Sequence, residues 1–89
     1  MKCKIKDSQL VYEVDQKILA YIDFKKNAQV YSIMEVFVDS SLRGQGVAQQ
    51  LMDAMVQVLQ EQQAQCIAVC PYAIAYFEKH PQFQTVLQQ

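Results

Sequence analysis

The sequence predicts a mixed α/β (α+β) fold with the element order β-β-β-β-α-β-α. Residues 1–38 consist of short segments in which apolar and polar side chains alternate, as in half-buried strands. From about residue 46 to 62 the apolar residues recur at helical spacing, and the apolar run CIAVC follows. The chain has 89 residues, of which 52% are hydrophobic. This length and composition predict one domain over residues 1–89.

The N-terminal half contains four predicted strands. The segments KCKIKD, QLVYEVD and KILAYIDFK occupy residues 2–7, 9–15 and 17–25, and short polar turns separate them. QVYSIMEVFV, residues 29–38, is rich in β-branched and aromatic residues and predicts a longer fourth strand. Because such short turns join antiparallel neighbours, this half is predicted to form an antiparallel meander.

The C-terminal half reads as helix, strand and helix. The long amphipathic helix spans about 46–62, the fifth strand 66–70, and a second helix 72–80 that Pro81 ends. A helix between the fourth and fifth strands makes those strands parallel neighbours through a right-handed crossover. Residues 82–89 are predicted to be a tail or a last short turn.

The charge pattern argues against several classes of partner. Eight Lys and Arg face nine Asp and Glu, and the only basic pattern is Lys2, Lys4 and Lys6, which alternate as on the wet face of a strand. Nucleic-acid binding is therefore not expected. No apolar run approaches the roughly 20 residues that span a bilayer, so no membrane partner is expected. MKCKIKDSQL has no signal-peptide pattern, and the protein is predicted to be cytoplasmic.

The cysteines predict neither a disulfide framework nor a metal site. Cys66 and Cys70 are four strand steps apart, roughly 13 Å, which is too far for a disulfide. His80 is the only histidine, so a zinc site of ordinary spacing is absent from the sequence. Cys3 and Cys66 are predicted to be packing residues.

Both glycines of the chain lie at the junction between the fourth strand and the long helix. Gly44 and Gly46 allow the backbone to approach a ligand closely and to present successive N–H groups. The first turn of the helix adds unpaired donors, and Arg43 adds a forked cation. This combination predicts an anion site suited to a pyrophosphate. The alternative is that the glycines only turn the chain and that Arg43 is solvated.

Two phosphate-binding motifs are excluded, which leaves a third. A P-loop requires Lys and Ser or Thr after the last glycine, where this chain has Val47 and Ala48. A dinucleotide fingerprint requires glycine at Gln49. The remaining pattern, Arg-x-x-Gly-x-Ala at Arg43, Gly46 and Ala48, resembles the acetyl-CoA signature of the GNAT superfamily of N-acetyltransferases. The predicted element order is similar to that of the same superfamily.

The C-terminal segment VCPYAIAYFEKHPQF resembles a narrower group of small, single-domain GNAT-like proteins. The resemblance to the superfamily spans roughly residues 30–87, and the first strands match only in pattern. The residues that carry the narrower likeness are Cys70-Pro71-Tyr72, Tyr76-Phe77 and His80-Pro81-Gln82-Phe83.

The resemblance implies acetyl-CoA as co-substrate, no metal, and an amine as acceptor. In this superfamily the fourth and fifth strands splay apart around the pantetheine arm of the cofactor. Carried onto this chain, the backbone groups of Phe37 and Val38 hold the pantetheine. The pyrophosphate is then held by the amides of Arg43, Gly44, Gln45, Gly46, Val47 and Ala48.

The resemblance also implies candidate catalytic residues. Cys70 ends the fifth strand at the start of a helix, a position that favours the thiolate, and an acetyl-cysteine intermediate is implied there. The alternative is a buried structural cysteine. Glu35 is a candidate base that is expected to face a helix or the cleft; the alternative is a solvated strand residue. Phe77 occupies the usual position of the proton-donating tyrosine, so Tyr72 and Tyr76 are candidate substitutes, against a core role for either.

Three functions therefore stay open from the sequence. The first is an N-acetyltransferase that moves an acetyl group to an unidentified amine through Cys70. The second is an acyl-CoA-binding or sensing module with little or no turnover, because 89 residues leave no room for the helices that form the acceptor pocket in larger enzymes. The third is a small interaction protein that uses the glycines only as a turn. A monomer or weak homodimer is expected.

Overall fold

The computed structural model describes residues 2–88 and shows the predicted element order. The fifth strand begins one residue earlier and ends two residues earlier than predicted, because Cys70 already caps the next helix. The C-terminal segment is a 3-10 helix rather than a tail. The elements are β1 (Cys3–Lys6), β2 (Gln9–Val14), β3 (Lys17–Asn27), β4 (Val30–Val38), a 3-10 turn (Ser40–Leu42), α1 (Val47–Glu61), β5 (Gln65–Ala68), α2 (Pro71–Lys79) and a 3-10 helix (Pro81–Val86).

The five strands form one sheet in the order β1-β2-β3-β4-β5. The first three pairings are antiparallel and the β4–β5 pairing is parallel, which confirms the predicted mixed sheet. α1 provides the crossover that a parallel pair requires.

One face of the sheet carries the hydrophobic core. Both helices pack there, because their apolar stripes and the inward side chains of the strands belong to a single buried cluster. Four side chains of α1 in this cluster are fully buried, namely Leu51, Met52, Met55 and Leu59. Burying each such side chain stabilises the fold by roughly 1.5–3 kcal/mol. This shared core therefore holds α1 against the sheet.

A bulge in β4 changes which side chains face the core. Asp23 of β3 pairs with Glu35, but the next residue of β3 pairs with Ile33, so Met34 is the extra residue. Ile33 is buried before the bulge, and Val36 packs against the core after it. Glu35 is exposed and Phe37 stacks on Tyr21, on the face that carries neither helix. The expectation that Glu35 faces a helix is therefore wrong, because the bulge shifts the alternation.

Candidate active site

The two glycines at the junction between β4 and α1 both adopt a left-handed backbone conformation. Gly44 has a φ of +82° and Gly46 a φ of +75°, values that side chains rarely adopt. A Cβ at either position would meet no atom within 4 Å. The glycines are therefore required by the turn itself, and the space beside each of them is open to a ligand.

The first turn of α1 has free hydrogen-bond donors. Gly46 is the N-cap and offers no side chain to the helix, and the first turn contains no acidic residue. The amide of Gln50 donates to the carbonyl of Gly46 at 3.1 Å, so the amides of residues 47–49 precede the first intrahelical bond. These donors and the positive end of the helix dipole face the same direction, which suits an anion.

A cavity of about 230 Å³ lies over this turn. Phe37 and Gln45 are the predicted cofactor-binding residues that do not line it. The side-chain amide of Gln45 instead donates to the carbonyl of Ser41 at 3.3 Å. The sequence did not predict Leu42 or Gln49 in the lining. The lining residues are Val38, Leu42, Arg43, Gly44, Gly46, Val47, Ala48, Gln49 and Tyr72.

The turn before the glycines is held by Asp39. One carboxylate oxygen of Asp39 accepts hydrogen bonds from the hydroxyl of Ser41 at 2.6 Å and from its amide at 3.0 Å. These bonds, with a smaller contribution from the charge of Arg43, lower the pKa of Asp39. Nε of Arg43 donates to the carbonyl of Val38 at 3.2 Å. Arg43 is thereby held over the end of β4, and its other guanidinium N–H groups form no hydrogen bond with the described part of the chain.

β4 and β5 part after a short ladder. The parallel pairing runs only from Val30 to Ile33 of β4, and the carbonyl of Ile33 accepts the amides of Val69 at 3.1 Å and Cys70 at 3.2 Å. β4 then continues to Val38, and no strand within residues 2–88 pairs with it on that side. A gap lined by one free strand edge therefore opens beside the cavity.

The register of β4 shows which backbone groups face this gap. Val38 pairs with Ala20, and the amide of Asp39 donates to the carbonyl of Leu19 at 2.7 Å. Val38 is thus in a non-hydrogen-bonded pair with β3, so its own N–H and C=O point to the gap, as do those of Val36. The N–H and C=O of Phe37 instead form hydrogen bonds with β3. Of the two predicted pantetheine-binding residues, Val38 therefore presents its backbone groups to the gap and Phe37 does not, whereas Val36 does.

Cys70 lies where the two strands part. Its side chain is the N-cap of α2, and Sγ accepts the amide of Ala73 at 3.4 Å. The residue is 8% exposed and does not line the cavity over the glycines. Cys66 is fully buried, and burial raises the pKa of its thiol to about 12. The two cysteines therefore differ in surroundings, because only Cys70 sits at a helix N-terminus.

The two candidate tyrosines occupy different positions. Tyr72 is 41% exposed and lines the cavity over the glycines. Tyr76 is 3% exposed, and its hydroxyl donates to Oδ1 of Asp53 at 2.5 Å. Burial, and then the bond to Asp53, raise the pKa of Tyr76 well above its usual range. The hydroxyl of Tyr76 therefore links α2 to α1 through a hydrogen bond, whereas the side chain of Tyr72 is exposed in the cavity, where a ligand could contact it.

We expect Tyr76→Phe to lower the free energy of unfolding by about 1–3 kcal/mol, because it removes a hydrogen bond to a carboxylate. Urea denaturation of both proteins measures the loss. Tyr72→Phe is the matched control, since it removes an exposed hydroxyl and is expected to change stability by less than about 0.5 kcal/mol. Equal losses in the two variants would show that Asp53 is not what anchors α2.

Glu35 lies apart from the cavity. One carboxylate oxygen accepts a hydrogen bond from the hydroxyl of Tyr21 at 3.3 Å. This contact is part of the reason that the pKa of Tyr21 is raised, after the larger effect of burial. Glu35 does not line the cavity over the glycines.

Comparisons with known proteins agree with this geometry. Residues 9–86 match the family model described as GCN5-related N-acetyl-transferase. The chain therefore belongs to the GCN5-related N-acetyltransferase family, as the glycine motif and the C-terminal segment predicted. No curated protein matches the chain by sequence.

Solved structures share the fold. A GCN5-like protein from Staphylococcus aureus superimposes with a TM-score of 0.79 at 27% identity, over 98% of this chain and 87% of that one. Tetrahymena GCN5 gives 0.67 at 20% identity, over 80% of this chain and 48% of that one. The N-acetyltransferase YhbS from Escherichia coli, solved in complex with CoA, gives 0.63 at 22% identity over 84% and 43%. The chain thus spans less than half the length of the latter two.

Residues 2–88 contain no candidate membrane span and no candidate metal cluster. None of their helices is long and apolar enough to cross a membrane. Nowhere in that range do three or more His, Cys, Asp or Glu side chains come together as metal ligands would.

Proposed function

We propose that this protein transfers an acetyl group from acetyl-CoA to an amine, with an acetyl-cysteine at Cys70 as intermediate. The observation that carries the proposal is the uncapped first turn of α1, which faces a cavity beside two glycines with open space at their Cβ positions. Such a turn fits a diphosphate, because it offers several N–H donors and no competing side chain. Membership of the GCN5-related N-acetyltransferase family supports acetyl-CoA as the ligand.

In this proposal, the residues that bind the cofactor are distinct from those that carry out the chemistry. The amides of the glycine turn and of residues 47–49 hold the diphosphate, and the remaining donors of Arg43 add positive charge. The N–H and C=O of Val36 and the N–H of Val38 hold the amides of the pantetheine arm, as an added strand would. The C=O of Val38 already accepts a hydrogen bond from Nε of Arg43. Bound acetyl-CoA supplies an activated acyl group as a thioester.

Cys70 and Tyr72 would carry the chemistry. The thiolate of Cys70 attacks the acyl carbon, a new C–S bond forms, and the bond to the coenzyme sulfur breaks. In this proposal the hydroxyl of Tyr72 donates a proton to the departing thiolate. Two observations support this choice: Tyr72 lines the cavity, and the hydroxyl of Tyr76 already donates to Asp53. A neutral amine then attacks the acyl carbon of acetyl-Cys70, so that a C–N bond forms and the C–S bond breaks. The proton that the amine loses returns to Tyr72, and Cys70 is regenerated as the thiolate.

An acyl-CoA-binding module with little turnover is the second candidate. Two observations favour it. Cys70 is 8% exposed, and Glu35, the candidate base, lies on the face of the sheet away from both helices. Such a module would keep the cofactor site and lack the means to pass the acyl group on.

Calorimetric titration of the whole chain with acetyl-CoA tests the binding, and release of free CoA thiol tests the chemistry. We expect an affinity in the micromolar range and thiol release that depends on an added amine, for which a lysine peptide and a polyamine are the probes. Heat of binding without thiol release, and without acetylated protein by mass spectrometry, would select the binding module. No heat and no thermal shift would overturn both functions.

A further inference from the structure

A second, smaller cavity adjoins the cavity over the glycines. Its volume is about 90 Å³. Gln49 of α1 and Tyr72 of α2 line both cavities, so a ligand that passes these two side chains moves from one cavity into the other. The remaining lining residues are Ala75, Tyr76, Lys79 and His80.

The lining of the second cavity is basic. Lys79 is exposed and forms no ion pair within residues 2–88, where Lys4 and Lys6 both pair with Glu13. Nδ1 of His80 is 2.7 Å from the carbonyl of Tyr76, and because a carbonyl only accepts, this nitrogen carries a proton. The ring of His80 also stacks on Tyr76, with centroids 4.2 Å apart, which fixes its orientation.

The carboxylates near the second cavity lie outside its lining. Asp53 accepts the hydroxyl of Tyr76 and lines another depression, and Glu78 precedes the exposed Lys79 on α2. The C-terminus of α2 contributes about half a negative charge, which the full charge of Lys79 exceeds. An anionic group that enters the cavity therefore meets Lys79 in a lining that contains no Asp or Glu.

We propose that the second cavity is a subsite for a phosphomonoester, the 3′-phosphate of CoA. This inference rests on the proposed function, because the diphosphate must occupy the cavity over the glycines for the adenosine end to reach Lys79. The cavity is less than half the volume of its neighbour, which suits a phosphate group. The adenine would lie outside it, against the half-exposed ring of Tyr72.

Comparison of CoA with dephospho-CoA tests the subsite, since the two ligands differ only in the 3′-phosphate. We expect wild-type protein to bind CoA about tenfold more tightly at low salt, the effect of one or two charge-assisted hydrogen bonds. Lys79→Gln is expected to bring the two affinities within about twofold by weakening CoA alone. Lys25→Gln, which removes an exposed lysine from β3, is the charge-matched control and is expected to keep the wild-type ratio.

Each other outcome overturns the subsite in a different way. Equal and tight binding of both ligands by wild-type protein would remove the subsite and leave the proposed function intact. Equal weakening of both ligands by Lys79→Gln would assign Lys79 a general electrostatic effect. Binding of neither ligand would overturn the proposed function and the subsite together. Because Lys79 is exposed, the variant is expected to fold, and its melting temperature verifies this.

Discussion

Gly46→Asp is expected to weaken acetyl-CoA binding by at least about 100-fold, whereas Gly46→Asn is expected to weaken it by about tenfold or less. The two side chains have nearly the same shape, and both tolerate a positive φ better than other residues do. Each would project into the open space beside Gly46. Only the aspartate places a negative charge next to the diphosphate, and like charges about 4 Å apart repel by about 4 kcal/mol near a protein surface.

Calorimetry on the two variants separates charge from shape. Their melting temperatures are expected to agree within a few degrees, since neither side chain meets a neighbouring atom at Cβ. The difference in affinity should shrink at high salt, because the site is exposed to solvent. If the aspartate variant binds acetyl-CoA as tightly as the asparagine variant, the diphosphate does not lie on this turn.

The sequence was sufficient to predict most of the fold for a physical reason. Apolar and polar residues alternate over the first four strands, and apolar residues recur at helical spacing over α1, because each element buries one side. The structure contains these strands and this helix. The paired glycines mark a turn that other residues cannot adopt cheaply, so the beginning of α1 was visible in the sequence.

The bulge in β4 could not be predicted in this way. Met34 is an ordinary strand residue, and nothing in its type shows that two residues of β4 face one of β3. The consequences are nevertheless large, because every side chain after the bulge changes face. Because of the bulge, Glu35 lies on the face of the sheet without helices. The backbone groups that face the gap are those of Val36 and Val38, and not those of Phe37.

The assignment of the two tyrosines also required the structure. Tyr72 and Tyr76 are four residues apart, so they lie on the same side of α2 and periodicity does not distinguish them. The neighbouring helix does distinguish them. Gln49 of α1 lies beside Tyr72 at the cavity, and Asp53, one turn further along α1, engages Tyr76. The function of each phenol is therefore set by its partner across the helix interface.

Cys70→Ser is expected to abolish acetylation of the protein and to slow acetyl transfer by at least about 100-fold, with little effect on the fold. A serine hydroxyl is a weaker nucleophile at neutral pH and a better N-cap, so α2 keeps its first turn. The free energy of unfolding is expected to stay within about 1 kcal/mol of wild type. Mass spectrometry after mixing with acetyl-CoA, together with thiol release, measures both effects.

Cys66→Ala gives the opposite pattern and serves as the control. Cys66 is fully buried, and burial keeps its thiol protonated, so its removal is expected to cost stability and leave acetylation unchanged. The Cys70 variant also distinguishes two routes of transfer. If Cys70→Ser transfers acetyl groups at the wild-type rate, the amine attacks the thioester directly and the cysteine only caps α2. If transfer is lost while acetyl-CoA still binds, Cys70 is the nucleophile, and its position where β4 and β5 separate accounts for the activity of the site.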